Sequence, residues 1–264
     1  MKTNITFLFI FFFTYTVVHA DVYVKGILHV DSGYRYGHNV PEINAIQEWW
    51  FGKDKVTYMS TGWNLWAMNT DWRFTLDREK KRILVINLNN ATFMDVSLHK
   101  DPLSYVDPSY VKLLPDLQFN GTVEKQREKK NFLEKICDIY KVNEWLMEVD
   151  LRFYERVRTI LVTPDVPFEW QLFNELFHWI RSFFNPQPSY VSELRKINGF
   201  IVKSDEVFMP RGGRLRWDFK ILEISHKKAP ANIYGIPINY KRQERFSQRD
   251  MTSIRTVVYP WPIY

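Results

Sequence analysis

Apolar and polar residues alternate with a period of two along most of this chain, and one stretch breaks the rule. In Pro167–Phe184, Trp170, Phe173, Phe177, Ile180 and Phe184 recur at helical spacing. Leu172, Leu176, Trp179 and Phe183 widen that face, which leaves Gln171, Asn174, Glu175, His178 and Ser182 on a narrow polar strip. Pro167 suits a first helical turn, and Pro186 and Pro188 close the far end. A helix apolar over more than half its circumference needs a broad apolar partner, and the rest of the chain predicts sheet.

Val22, Val24, Leu28 and Val30 fall on one side of a strand, with Tyr23, Lys25 and His29 on the other. Ser32–Pro41, rich in glycine and aromatics, predicts a loop; Ala45–Phe51 and Val56–Met59 predict strands. A meander follows. Trp72, Phe74 and Leu76 alternate with Arg73, Thr75 and Asp77; a charged turn, Asp77–Lys81, leads to Ile83–Leu88, and Asn89-Asn90 turns into Thr92–Leu98. Three prolines make Lys100–Pro115 a loop or short helical turn. Phe119–Glu128 and Phe132–Trp145 predict strands across a charged turn. In Leu151–Val162, Leu151, Phe153 and Val157 face one way and Arg152, Arg156 and Arg158 the other. A short helical piece, Tyr190–Ile197, follows the long helix. Gly199–Met209 and Arg214–Ile224 then flank Arg211-Gly212-Gly213 as a hairpin. A segment near Tyr240–Phe246 is placed at a sheet edge, and Val257–Tyr264 reads as an extended, proline-broken tail.

The expected fold is therefore mainly β (α+β): a curved antiparallel sheet or half-barrel wrapped around one long amphipathic helix and a short helical piece. The expected boundaries are 1–20 for a leader, 21–250 for a single domain and 251–264 for an extended C-terminal tail. The leader follows from Lys2, the charge-free run Ile5–Val18, too short for a membrane span, and Val18 and Ala20 before Asp21. It implies export to a periplasm or the extracellular space. Cys137 is the single cysteine, so no internal disulfide supports the exported fold. The sequons at Asn90 and Asn120 matter only in a eukaryotic source.

A net charge of +6 spread along 264 residues argues against nucleic acid. The basic clusters around Arg78–Arg82, Lys125–Lys130, Arg211–Arg216 and Lys241–Arg245 read as solvated turns, with weak attraction to an anionic membrane surface as the alternative. The six histidines show no metal-ligand spacing, and neither a nucleophile elbow nor a phosphate loop is present, so no metal, cofactor or catalytic residue is expected. Cys137 reads as a small core residue and His178 as a surface one. Glu48, Asp138, Glu144 and Asp218 lie in predicted strands, and no spacing selects a hydrolytic pair among them.

Ten tryptophans are the compositional oddity. They fit ordinary core packing, an apolar ligand cavity between sheet and helix, or stacking on a polysaccharide or protein partner. The cavity reading names Trp72, Phe74, Phe173, Phe177, Trp179, Trp217 and Phe219 as lining. The surface reading names Trp49, Trp50, Trp63 and Trp66.

Several short motifs carry a resemblance. They are the Asp77–Arg82 turn, Thr92-Phe93, the Cys137/Tyr140/Val142 strand and the run Ala229, Pro230, Tyr234, Pro237, Tyr240, Lys241. Together the chain resembles bacterial exported proteins related to the lipoprotein-localisation-factor (LolA/LolB-like) half-barrels. That resemblance implies a curved antiparallel sheet around helices and an apolar cavity for a lipid or a lipoprotein's acyl chains, without catalytic residues.

Overall fold

The computed structural model describes residues 21–35, 38–62, 64–65, 68–69, 71–111, 117–148, 151–182, 188–210 and 215–258. The chain is mainly β and builds one large, curved, unclosed antiparallel sheet. The first half supplies β1 (Asp21–Val30), a small hairpin β2 (Gly33–Arg35) and β3 (His38–Val40), then β4 (Ile43–Phe51) and β5 (Lys55–Thr61). A second small hairpin, β6 (Asn64–Leu65) and β7 (Met68–Asn69), precedes the meander β8 (Trp72–Asp77), β9 (Arg82–Asn87) and β10 (Thr92–Ser97). A short 3-10 helix, Pro102–Tyr105, and α1 (Pro108–Val111) lead to the second half. That half is β11 (Leu117–Phe132), β12 (Lys135–Glu148), β13 (Leu151–Thr163), α2 (Trp170–Ser182), α3 (Pro188–Leu194), β14 (Phe200–Pro210) and β15 (Leu215–Lys227). The chain closes with β16 (Lys241–Arg242) and α4 (Gln248–Val258).

The strand order is β11-β12-β13-β14-β15-β1-β4-β5-β8-β9-β10-β16. The two halves are consecutive antiparallel runs, joined where β1 pairs with β15 from Asp21↔Lys227 to Val30↔Trp217. Alternation along β1, β4, β5, β8, β9, β10 and β15 sends Val24, Trp49, Tyr58, Phe74, Val85, Val96 and Phe219 to one core, where Leu172, Phe173, Leu176, Phe177 and Ile180 of α2 join them.

The opposite face is covered in part by the C-terminal segment. Tyr23 and Trp50 pack there with Ile233. Thr57 Oγ1 donates to the Ile233 carbonyl at 3.2 Å, and Arg73 donates to the carbonyls of Asn232 and Gly235. The chain then runs parallel to β10 as β16 and returns on the first face as α4. Met251 and Ile254 enter the main core there, and Trp72 Nε1 donates to Ser253 Oγ at 2.7 Å.

Four expectations change. Ser32–Pro41 carries the β2–β3 hairpin rather than a plain loop. β11 runs through its charged tract to Phe132, and the turn is Leu133-Glu134, both at positive φ (49° and 58°) as a two-residue hairpin requires. The charges are tolerated because β11 is an edge strand whose outward side chains stay solvated. Residues 251–258 are helical, not an extended tail. Ser247 and Asp250 cap α4 reciprocally, with Ser247 N donating to Asp250 Oδ2 at 2.9 Å and Asp250 N to Ser247 Oγ at 3.2 Å; residues 259–264 lie outside the described residues. On β13, Arg156 and Arg158 are buried and Val157 is the exposed residue between them.

Candidate functional site

Every side chain expected to line a cavity lies in the main core, at 1–6% exposure. Trp72 stacks on Phe74 at 6.1 Å between centroids, Phe74 on Tyr58 at 6.1 Å, and Tyr58 meets Phe177 at 5.1 Å. Phe177 tilts against Phe173 at 4.3 Å, and Trp49 touches Tyr58, Phe173 and Phe219 at 5.5, 6.1 and 6.1 Å. These are normal edge and offset contacts, so the rings fill the sheet–helix interface at these points. Trp179 is buried in the same core, whereas Trp217 lies at the far side, 5.8 Å from the Arg156 guanidinium.

The surface alternative fares differently. Trp49 is fully buried and Trp50 is 7% exposed, because both faces of β4 are covered, one by α2 and one by the C-terminal segment. Neither ring is presented to a sugar or a protein. Trp63 and Trp66 lie outside the described residues.

Besides the Trp72–Ser253 contact, polar groups meet inside the core at two further places among the described residues. Gln47 Nε2 donates to Ser60 Oγ at 2.7 Å and accepts the Tyr58 hydroxyl at Oε1. Farther along, four charges meet on β12, β13 and β14. Arg156 reaches Glu206 at 2.6 Å and Glu144 at 3.3 Å; Arg158 reaches Glu144 at 3.2 Å and Glu206 at 3.3 Å. All four side chains are at most 3% exposed. Tyr190 of α3 donates to Glu144, and it reaches that depth because Gly121 on β11 leaves the space a Cβ would occupy. Among these four side chains two cations face two anions. The cluster binds three strands and α3 by charge-assisted hydrogen bonds.

Sequence reading missed this cluster, although a signal was present. Tyr140 and Val142 run into Glu144, Val202 and Ser204 into Glu206, and Ile160 back into Arg158 and Arg156, each on one strand face. Three apolar stripes thus end in complementary charge at the same level of the sheet.

The four strand carboxylates do not form a pair with one another. Glu48 accepts from Tyr23, Asp138 from Lys125 at 2.6 Å, and Glu144 from the arginines and Tyr190. Asp218 stands opposite Asp205 in register on the outer face. Burial and the neighbouring Asp205 push the Asp218 carboxyl up. Asp205 is held down, against its own burial, by Asp218 as donor and by Lys203 and Arg216. The two carboxyls are thus pushed in opposite directions, as close carboxyls are. The row continues to His29, raised by its hydrogen bond to Asn44 and by Asp31 and Glu42. Cys137 is buried and its thiol is pushed up by that burial, so it is a poor nucleophile. Among the described residues no group of His, Cys, Asp and Glu is arranged to hold a metal ion. Among the described residues, too, no helix is long and apolar enough to cross a membrane.

One contact ties α2 to the sheet from outside. Arg78, in the β8–β9 turn, reaches Glu169 at 2.8 Å and Glu175 at 3.1 Å. No protein-family model matches the chain, and no curated protein is similar to it in sequence.

Proposed function

We propose that this is an exported, non-catalytic carrier in which the sheet wraps α2 as a half-barrel and takes an apolar ligand, a lipid or a lipoprotein's acyl chain, between them. The observation that carries the reading is the unclosed sheet whose aromatic inner face packs against the apolar side of α2, with Tyr190 and Leu194 of α3 and Met251 and Ile254 of α4 in the same core. The site is filled by exchange rather than by entry into a void. Leu172, Phe173, Leu176, Phe177, Trp179 and Ile180 are each nearly fully buried, and at 1.5–3 kcal/mol apiece complete exposure of α2 to water costs roughly 10 kcal/mol or more. An acyl chain burying about 14 methylenes contributes roughly 11 kcal/mol. The two terms are comparable, so a chain that slides under α2 offsets the contacts it displaces. Outside, the Arg78 pairs with Glu169 and Glu175 are half-exposed and hold the helix only weakly.

Native mass spectrometry of protein purified from its own host, together with titration of a long-chain fluorescent fatty acid, tests the proposal. The expected result is a lipid adduct and saturable one-to-one binding. Adduct-free protein that also ignores the fatty acid refutes it.

A further inference from the structure

At the end of α2 a groove of 480 Å³ opens between the helix, the β8–β9 turn and the chain after β10. Its floor is apolar, made by Leu98, Pro102 and Trp179. Trp179 is 6% exposed and belongs to the main core, so the floor is continuous with the sheet–helix interface. Its rim is cationic. Arg78, Lys81 and Lys100 stand there against the single carboxylate of Glu175, with His99 and His178 beside them. Arg78 is committed to Glu169 and Glu175, whereas Lys81 and Lys100 are exposed and have no carboxylate partner among the described residues.

We infer that this groove holds the anionic headgroup of a single-chain amphiphile, a phosphate monoester or carboxylate whose chain runs past Trp179 toward the core. The inference rests on the carrier reading and adds the charge class of the cargo. Lys81 and Lys100, which have no carboxylate partner among the described residues, favour an anion over a zwitterion or a neutral headgroup. An apolar floor joined to the core favours an amphiphile over a free anion.

Calorimetric titration below the critical micelle concentration separates the possibilities, using dodecyl phosphate, dodecylphosphocholine and inorganic phosphate. The wild-type protein is expected to bind dodecyl phosphate about tenfold more tightly than dodecylphosphocholine, with a preference that falls as salt rises. The Lys81→Gln/Lys100→Gln variant is expected to lose that preference while keeping its affinity for dodecylphosphocholine and its urea midpoint. Equal binding of the two amphiphiles by wild type, or a preference that survives in the double variant, overturns the headgroup assignment and leaves the carrier reading standing. Inorganic phosphate binding as tightly as dodecyl phosphate overturns the amphiphile. If neither amphiphile binds, the carrier reading falls with it.

Discussion

Replacing Arg158 by methionine tests the buried charge cluster directly. Arg158 is fully buried and contacts both Glu144 and Glu206, at 3.2 and 3.3 Å. Methionine keeps much of the side-chain volume but removes one of two cations, leaving two buried carboxylates to share Arg156. Removing one partner of a buried ion pair costs about 3–5 kcal/mol, because the uncompensated charge stays out of water. For a chain of this size that lowers the melting temperature by about 10 °C. The companion variant Arg158→Met/Glu206→Leu removes one charge of each sign and leaves Arg156 with Glu144, a neutral pair. Replacing a buried pair by apolar groups is close to neutral or stabilising, so the double variant is expected to recover most of the loss. Urea unfolding of wild type, both single variants and the double variant yields the coupling energy as a cycle. A single-variant loss below about 1 kcal/mol, or a double variant no better than the sum of the singles, refutes the claim that these charges are desolvated and mutually compensating.

Two further outcomes follow from local geometry. Ser247→Ala removes the side-chain half of the α4 cap and is expected to cost about 1 kcal/mol in urea unfolding; an unchanged midpoint would show that α4 is held by Met251 and Ile254 alone. His29 is raised above its usual 6.5, so its contribution is fully present below that value and is lost as pH rises through the folded-state value. The stability gap between wild type and His29→Gln is therefore expected to be larger at pH 5 than at pH 8, and a gap independent of pH contradicts the ladder of partners described for His29.

The strands of the first meander were legible because Asp77–Lys81 and Asn89-Asn90 are strong turn signals between clean alternations. The long helix was legible because its apolar residues follow the helical period, though it begins at Trp170 rather than Pro167. Periodicity says which residues share a face and not which face is inside. On β13 the parity of Arg156, Val157 and Arg158 was right, but two arginines on an inner face are intelligible only once Glu144 and Glu206 stand opposite, on strands that do not adjoin in a single window of sequence. α4 was overshadowed by the prolines beyond it, although Ser247-x-x-Asp250 followed by Met251 and Ile254 is a helix start. The unclosed sheet was within reach of pattern reading. The cationic groove was not, because it joins a turn, a strand end and a helix that meet only in three dimensions.

The pairing of β1 with β15 has a kinetic consequence. Most neighbouring strands in each half follow one another in the chain across short connections and form early, while β13 and β14 are joined through α2 and α3. Among the extended ladders, the contact between β1 and β15 joins the strands farthest apart in sequence. It closes nearly the whole chain into one loop, at an entropic cost on the order of 5 kcal/mol that nothing local repays. The seam therefore forms late. Until it does, β1 and β15 are both bare edges, open to pairing with any other extended chain. A chain with this topology spends its most aggregation-prone interval with its two central strands unmatched, and amide exchange along β1 and β15 should track the rejoining of the two halves.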